Sequence, residues 1–160
     1  MAIRQAERGD QDAIWTIFQA VVEPGDTYAF APDITRQDAL AMWMGPKVHT
    51  YVATESDAVV GTYLLRSNQP GLGSHVANAA FMVAPPAQGR GIGRQMAEHC
   101  LREARRLGFR AMQFNFVVST NEPAVALWKT LGFDIVGTLP GAFHHRQRGF
   151  VDAYVMFRPL

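Results

Sequence analysis

Apolar residues recur along this chain with two different periods, one typical of helices and one typical of strands. A spacing of three to four positions predicts amphipathic helices over residues 10–22 and 92–107, and shorter helices over 35–43 and 122–131. Asp10 is expected to cap the first helix, because a short acidic side chain can accept hydrogen bonds from the free N–H groups at a helix start.

Short runs rich in β-branched and aromatic residues predict strands between these helices. A turn at Ser56 and Asp57 joins two of them into a hairpin, and residues 23–33, with two prolines and a glycine, predict a loop. A polar loop rich in His and Arg is expected between the last two strands. The order of elements predicts one α/β (α+β) domain over residues 1–160, built on a mixed sheet. The predicted strands are 2–6, 48–54, 59–65, 75–83, 111–118, 133–138 and 150–157.

The composition of the chain argues against nucleic acids and membranes as binding partners. With 48% hydrophobic residues and a net charge of only +1, the chain can bury a core but lacks the basic field of a nucleic-acid binder. Cys100 is the only cysteine, so no intramolecular disulfide can form. The first residues have no apolar signal-peptide core, and no apolar run approaches the ~20 residues that span a bilayer. We therefore expect a cytoplasmic protein without membrane or nucleic-acid partners.

A glycine-rich segment between a strand and the long helix has the composition of an anion site. Its glycines allow a tight turn, and the following helix start adds free N–H donors and a positive dipole end, which suits a pyrophosphate. No Gly-Lys-Ser/Thr sequence ends it, so it is not a P-loop, and an arginine stands where the dinucleotide fingerprint needs a glycine. A glycine-rich connector with two solvated arginines is the alternative. The segment reads Gln88-Gly89-Arg90-Gly91-Ile92-Gly93-Arg94.

At these residues the sequence resembles the GNAT N-acetyltransferases. Residues 88–93 match that family's Gln/Arg-x-x-Gly-x-Gly/Ala signature, with Val83 and Pro85 in their usual places upstream. Residues 121–133, Asn-Glu-Pro-Ala-Val-Ala-Leu-Trp-Lys-Thr-Leu-Gly-Phe, are similar to the family's Asn-x-x-Ala-x-x-Leu-Tyr-x-x-x-Gly-Phe segment. Both motifs have the family's order and spacing, and the predicted elements agree along the whole chain.

The resemblance implies a mostly antiparallel sheet with a V-shaped splay between strands 75–83 and 111–118, the former carrying a bulge. Acetyl-CoA would be the co-substrate, without a metal, and the protein would form a homodimer through its C-terminal strands. Asn121 and Trp128 would lie near the thioester and the pantetheine arm. Pantetheine would pair with backbone groups of Phe81, Met82 and Val83. The pyrophosphate would bind at Gln88, Gly89, Arg90, Gly91, Ile92, Gly93 and Arg94.

The same resemblance exposes a departure from the family's chemistry. Attack of an amine on a thioester needs proximity, a base and a donor for the oxyanion. Many family members add a tyrosine as acid, seven residues after the motif asparagine. Here that position is Trp128, and an indole N–H cannot serve as a general acid. Trp128 either shapes the acyl pocket or belongs to the core.

Three asparagines are candidate catalytic residues: Asn78, Asn115 and Asn121. Asparagine is disfavoured in strands, yet Asn78 and Asn115 lie in strands that would line the gap. Each can contact the acceptor or the thioester, or be satisfied by neighbouring backbone; Asn121 can equally cap the helix that starts before Pro123. Their spacing resembles the fungal N-acetyltransferases of proline analogues such as azetidine-2-carboxylate, where asparagines act in acceptor binding and catalysis.

Three functions remain open from the sequence. We expect an enzyme that acetylates the amine of a small molecule, such as an amino acid or proline analogue. A protein or peptide acetyltransferase and a non-catalytic acyl-CoA sensor are the alternatives. Glu122 and His75 are further candidates for a base, and the basic residues 143–148 for contact with a carboxylate or a partner subunit. The acceptor pocket is expected in the loop 23–33, at Asp26, Thr27, Tyr28 and Phe30.

Overall fold

Seven strands form one sheet in the computed structural model, which describes residues 1–160. Their order across the sheet is β1-β2-β3-β4-β5-β7-β6, and only the β4–β5 pair is parallel. The predicted mixed, mostly antiparallel sheet is therefore confirmed. The strands are β1 (Ala2–Gln5), β2 (His49–Glu55), β3 (Ala58–Ser67), β4 (Val76–Val83), β5 (Ala111–Val118), β6 (Asp134–His145) and β7 (Gly149–Pro159).

Four helices cover the two faces of the sheet, because successive side chains of a strand point to opposite faces. The helices α1 (Gln11–Val22) and α2 (Arg36–Trp43) pack on one face around the fully buried Trp43. The helices α3 (Ile92–Arg106) and α4 (Glu122–Thr130) enclose a larger core on the other face. None of these helices has the length and apolar character needed to cross a membrane.

The starts of α1 and α2 differ from each other. Thr35 stands at the predicted start of the second helix and caps α2, since its Oγ1 accepts from the N–H of Asp38 at 3.1 Å. The prediction for Asp10 is wrong: its carboxylate makes no capping bond to α1. It accepts instead from the Arg4 guanidinium at 2.7 and 2.8 Å and from the Glu7 N–H at 2.7 Å. The bond from Arg4 holds the pKa of Asp10 below its usual value and ties β1 to the start of α1.

The C-terminal hairpin is longer than the sequence predicts. β6 continues past Pro140 to His145, and β7 begins at Gly149, so the expected polar loop shrinks to residues 146–148. The register between the two strands shifts between Leu139 and Phe143, and this shift accommodates Pro140 within β6. β6 is the edge strand of the sheet, where a proline without an N–H donor is tolerated.

The splay between β4 and β5 is present. The two strands pair only at Val76–Ala111 and Ala77–Met112, and then they diverge. The bulge expected in the first of them is not there, because β3 and β4 stay in register from end to end. The irregularity lies in β5, whose pairing with β7 shifts between Phe114 and Val117.

Candidate active site

The gap between β4 and β5 opens into a cleft of about 830 Å³. Its walls are the two diverging strands, the loop that follows α1, the glycine-rich segment and the first turns of α4. Most of the residues that line the cleft are apolar. The structure therefore brings the sequence-predicted residues of both motifs to one cavity, with Arg90 as the exception described below.

The glycine-rich segment forms the cradle that its composition predicts. Gly89 and Gly91 adopt φ values of +75° and +77°, in the left-handed region that favours glycine. A Cβ built on either glycine would meet no atom within 4 Å, so both face open space. α3 begins directly after Gly91, and its first N–H groups lack intrahelical partners. The side chain of Ile92 is 2% exposed and anchors this helix start in the core. Such an arrangement binds anions.

The two arginines of the segment differ in position. Arg94 lines the cleft, where it pairs with Glu98 at 2.9 Å on the exposed face of α3. Arg90 lies outside the lining and forms an ion pair with Glu55 at 2.6 Å. Gln88 donates from Nε2 to the carbonyl of Val83 at 3.2 Å, which ties the segment to the end of β4. The cradle is thus built mainly from backbone, and Arg90 would have to leave Glu55 to contact an anion there.

The backbone of β4 presents only alternate residues to the gap. The N–H of Ala84 bonds to Val60 across the β3–β4 ladder at 2.9 Å, and partners alternate sides along an antiparallel pair. Met82, two residues earlier, therefore also turns its backbone groups toward β3, and its side chain is 1% exposed in the α1–α2 core. Met82 lines the cleft, but the backbone groups that it is predicted to offer to pantetheine point toward β3. Phe81 and Val83 are the residues that face the gap.

Tyr28 occupies the gap-facing groups of Phe81. Its hydroxyl donates to the Phe81 carbonyl at 2.6 Å and accepts from the Phe81 N–H at 3.1 Å. The ring stacks on Phe30 with centroids 5.5 Å apart, so the loop after α1 is fastened to β4. Burial raises the pKa of Tyr28 to about 12, so the phenol keeps its proton at neutral pH. The sequence placed Tyr28 near the acceptor but gave no sign of this contact with the strand.

Trp128 belongs both to the core and to the cleft. Its side chain is 8% exposed and packs between Phe81 and Phe114, with ring centroids at 5.1 and 4.6 Å. It also lines the cavity, where the splay begins to widen. The two descriptions that the sequence left open are therefore compatible, and a tryptophan there provides an apolar floor rather than an acid.

The three asparagines all line the cleft but differ in their partners. Asn78 donates to the Gln113 carbonyl at 2.9 Å and bridges the strands where they separate. Asn115 donates to the Asn68 side chain at 2.7 Å and accepts from the Gln113 side chain at 2.9 Å. Asn121 stands at the start of α4 without a capping hydrogen bond, so its amide is free for a ligand.

A smaller polar cavity of about 220 Å³ adjoins the cleft and shares Thr27, Asn121 and Pro123 with it. The tip of the β6–β7 hairpin is held beside this cavity, because the Arg146 N–H donates to the Gly25 carbonyl at 3.1 Å, and the cavity stays partly open to solvent. The sequence singled out several of its residues separately, but not Thr120. The cavity is lined by Asp26, Thr27, Thr120, Asn121, Pro123, His145, Gln147 and Arg148.

Other candidates from the sequence lie elsewhere. Neither His75 nor Glu122 lines the cleft or the polar cavity. His144 stacks on Phe150 at 4.6 Å, whereas His145 is buried, so the two histidines do not converge. The chain holds no group of three or more His, Cys, Asp or Glu side chains placed to bind a metal.

Known proteins resemble this chain in sequence and in structure. The sequence profile of the acetyltransferase (GNAT) family matches residues 12–133. The N-acetyltransferase aca1 of Schizosaccharomyces pombe is 30% identical, over 84% of this chain and 72% of its own length. This relative fits the fungal resemblance seen in the asparagine spacing.

Solved structures agree along nearly the whole chain. A GCN5-related N-acetyltransferase from Kribbella flavida is 47% identical, with a TM-score of 0.95 over 99% of this chain and 97% of its own. The acetyltransferase yncA from Salmonella typhimurium, solved with its cofactor acetyl-CoA, shares the fold at 24% identity, with a TM-score of 0.89 over 100% of this chain and 94% of its own. A profile match that spans both motifs, and the close relative from Kribbella flavida, show that this protein belongs to the GNAT family of N-acetyltransferases.

Proposed function

We propose that this enzyme transfers the acetyl group of acetyl-CoA to the amine of a small molecule, directly within a ternary complex. One observation carries the proposal: the glycine cradle lines the cleft, and the cleft shares Thr27, Asn121 and Pro123 with the adjoining polar cavity. A donor bound at the cradle and an acceptor in the polar cavity would meet at these shared residues. Proximity of this kind supplies much of the acceleration in acyl transfer.

The residues of the cleft fit acetyl-CoA. Gly89 and Gly91 leave open space where a Cβ would stand, and the start of α3 offers N–H donors for the pyrophosphate. The gap-facing backbone of Val83 is the part of β4 suited to pantetheine, since Tyr28 already bonds to the N–H and the carbonyl of Phe81. Bound acetyl-CoA would supply an activated thioester, with its acyl end against the apolar floor at Trp128.

The asparagines have different roles in this proposal. Asn121 donates its free amide to the thioester carbonyl or holds the acceptor, while Asn78 and Asn115 keep the walls of the gap in place through their existing bonds. A neutral amide cannot take up a proton, so the ammonium proton would leave through a water that these amides position. The thiolate would leave without a dedicated acid, since Trp128 cannot supply a proton.

The contact between the hairpin tip and the loop after α1 favours a small acceptor over a protein. A peptide would need a continuous open groove, but the hairpin tip is bonded to the loop after α1 at Gly25. The polar cavity beside this contact has a volume of about 220 Å³. A homodimer and a cytoplasmic location remain predictions.

Release of coenzyme A, followed with a thiol reagent, tests the proposal. The panel contains amino acids, cyclic imino acids, polyamines and short peptides, each with acetyl-CoA in excess. We expect turnover with a class of small amines and none with peptides. Turnover confined to peptides would identify a protein acetyltransferase instead. Tight binding of acetyl-CoA in calorimetry without any turnover would identify a sensor.

A further inference from the structure

We infer that the polar cavity binds the carboxylate of the acceptor, so that the acceptors are zwitterionic amino or imino acids. This inference rests on the proposed function, because it assigns the acceptor class of the same site. It is drawn from groups in the cavity whose hydrogen-bonding capacity or charge is not met within the chain.

Two hydroxyl groups of the cavity lack partners. The Oγ1 atoms of Thr27 and Thr120 are buried and make no hydrogen bond in the chain. Buried polar atoms of folded proteins nearly always have a partner, so unpaired ones call for an explanation such as a ligand or a water. Both threonines line the cavity, and each comes from a different wall: Thr27 from the loop after α1 and Thr120 from the turn before α4.

The hydrogen bonds of His145 make it a donor toward the cavity. This residue is 7% exposed, and its Nδ1 accepts the backbone N–H groups of Gln147 at 3.1 Å and Arg148 at 3.2 Å. A nitrogen that accepts carries no proton, so the neutral ring carries its proton on Nε2. That Nε2–H makes no hydrogen bond within the chain and is available to an acceptor atom in the cavity.

The charges of the cavity complete the match to a zwitterion. Arg148 and Asp26 both line it, yet the five ion pairs of the chain include neither residue. A guanidinium presents a fork of donors that suits a carboxylate, and the two hydroxyls and the imidazole N–H add further donors. The Asp26 carboxylate supplies an acceptor for the ammonium group. One small cavity therefore offers a partner for each charged end of an amino acid.

Pairs of acceptors that differ only in the carboxylate test this assignment. Proline is compared with pyrrolidine, azetidine-2-carboxylate with azetidine, and alanine with ethylamine, with kcat/KM expressed per concentration of unprotonated amine. We expect the acid of each pair to be favoured at least tenfold. Arg148→Gln should raise KM for the acids about 10- to 100-fold, within the range of one lost charge-assisted bond, and leave the plain amines unchanged.

Two further variants separate recognition from folding. Arg8→Gln makes the same change of charge at an exposed position before α1, and Arg8 lines neither the cleft nor the polar cavity, so KM should stay at the wild-type value. Thr120→Val replaces an unpartnered hydroxyl by a methyl group of similar size. It should raise KM for the acids without lowering the melting temperature, which a merely structural role for Thr120 would not produce.

The outcomes distinguish this inference from the proposed function. Equal turnover of acids and plain amines, or an Arg148→Gln variant that keeps the wild-type KM for acids, would overturn the carboxylate site and leave a small-amine acetyltransferase standing. Acetylation of peptides alone, with every small acceptor silent, would overturn both.

Discussion

Replacing Gly91 by alanine should weaken both the fold and the binding of acetyl-CoA, but only the loss of binding should be specific to this position. Gly91 has φ +77°, and holding an L-residue in the left-handed region costs about 1–2 kcal/mol. No protein atom lies within 4 Å of the new Cβ, so no clash adds to that cost. Gly108 is a matched control, since it ends α3 with φ +86°, also has nothing within 4 Å and does not line the cleft.

The effect on acetyl-CoA binding depends on whether the pyrophosphate fills the open space beside Gly91. If the pyrophosphate rests on this segment, a methyl group there displaces at least one charge-assisted hydrogen bond from backbone N–H to phosphate. Such a bond contributes about 1.5–3 kcal/mol. Since about 1.4 kcal/mol corresponds to a tenfold change, the dissociation constant should rise about 10- to 150-fold in Gly91→Ala. It should stay unchanged in Gly108→Ala.

Denaturant unfolding and calorimetric titration with acetyl-CoA measure the two quantities separately. Both variants should lose a similar free energy of unfolding, and only Gly91→Ala should lose affinity. Equal affinities in the two variants would refute the placement of the pyrophosphate at this segment. A far larger loss of stability in Gly91→Ala would show that the space around its Cβ is not open.

Three further substitutions test the walls of the cleft. Tyr28→Phe removes both bonds to Phe81 and should cost about 1–3 kcal/mol of unfolding free energy at pH 7. Because folding raises the pKa of Tyr28 from 10.0 to about 12, the hydroxyl stabilises the fold fully below pH 10, and this contribution is lost as the pH rises to 12. The difference between wild type and variant in denaturant titrations should therefore shrink over that range, and a constant difference would contradict the assignment. Asn121→Ala should change the unfolding free energy by less than about 0.5 kcal/mol, while Thr35→Ala, which removes a true cap, should cost about 1 kcal/mol. The kcat of the Asn121→Ala variant should fall more than its affinity for acetyl-CoA. An unchanged kcat would argue against a role of Asn121 in the reaction. Trp128→Phe should keep kcat within about tenfold, since losing an indole N–H removes no general acid; a much larger loss with an altered pH profile of kcat would show that the indole takes part in the chemistry.

The sequence predicts elements well where local rules decide them. The strand predicted at residues 111–118 matches β5, and the helix predicted to start at Thr35 does start there, because hydrophobic period and helix starts depend on neighbouring residues. Asp10 shows where local rules fail. Its carboxylate can cap α1 only if nothing else competes, and the guanidinium of Arg4, brought close by the fold, binds it instead.

The length of the C-terminal hairpin also depends on contacts that are distant in sequence. Pro140 interrupts the pattern of β6 locally, and only pairing with β7 shows that the strand resumes after a register shift. A single sequence carries no signal for that shift.

The candidate site divides in the same way. The sequence predicts the tight turn at Gly89 and Gly91, because the ability to adopt a positive φ is a property of the single glycine residue. The sequence does not predict the contact of Tyr28 with β4. That contact depends on the backbone groups of Phe81, which lies more than fifty positions away in sequence. The polar cavity combines residues from three parts of the chain, and Thr120 lacks any sequence feature that would mark it as unpartnered.

The short contact between β4 and β5 has a mechanical consequence. The sheet has in effect two parts, one of four strands and one of three, which are joined by two paired positions, a backbone bond from Arg110 to His75 and side-chain bonds from Asn78 to Gln113 and from Asn115 to Asn68. Widening the open end breaks no backbone pairing between β4 and β5, whereas sliding one part along the other would break all of these bonds. The width of the cleft is therefore set by side-chain contacts across the gap, such as the packing of Trp128 between Phe81 and Phe114, and these can rearrange when the site admits a long, narrow molecule.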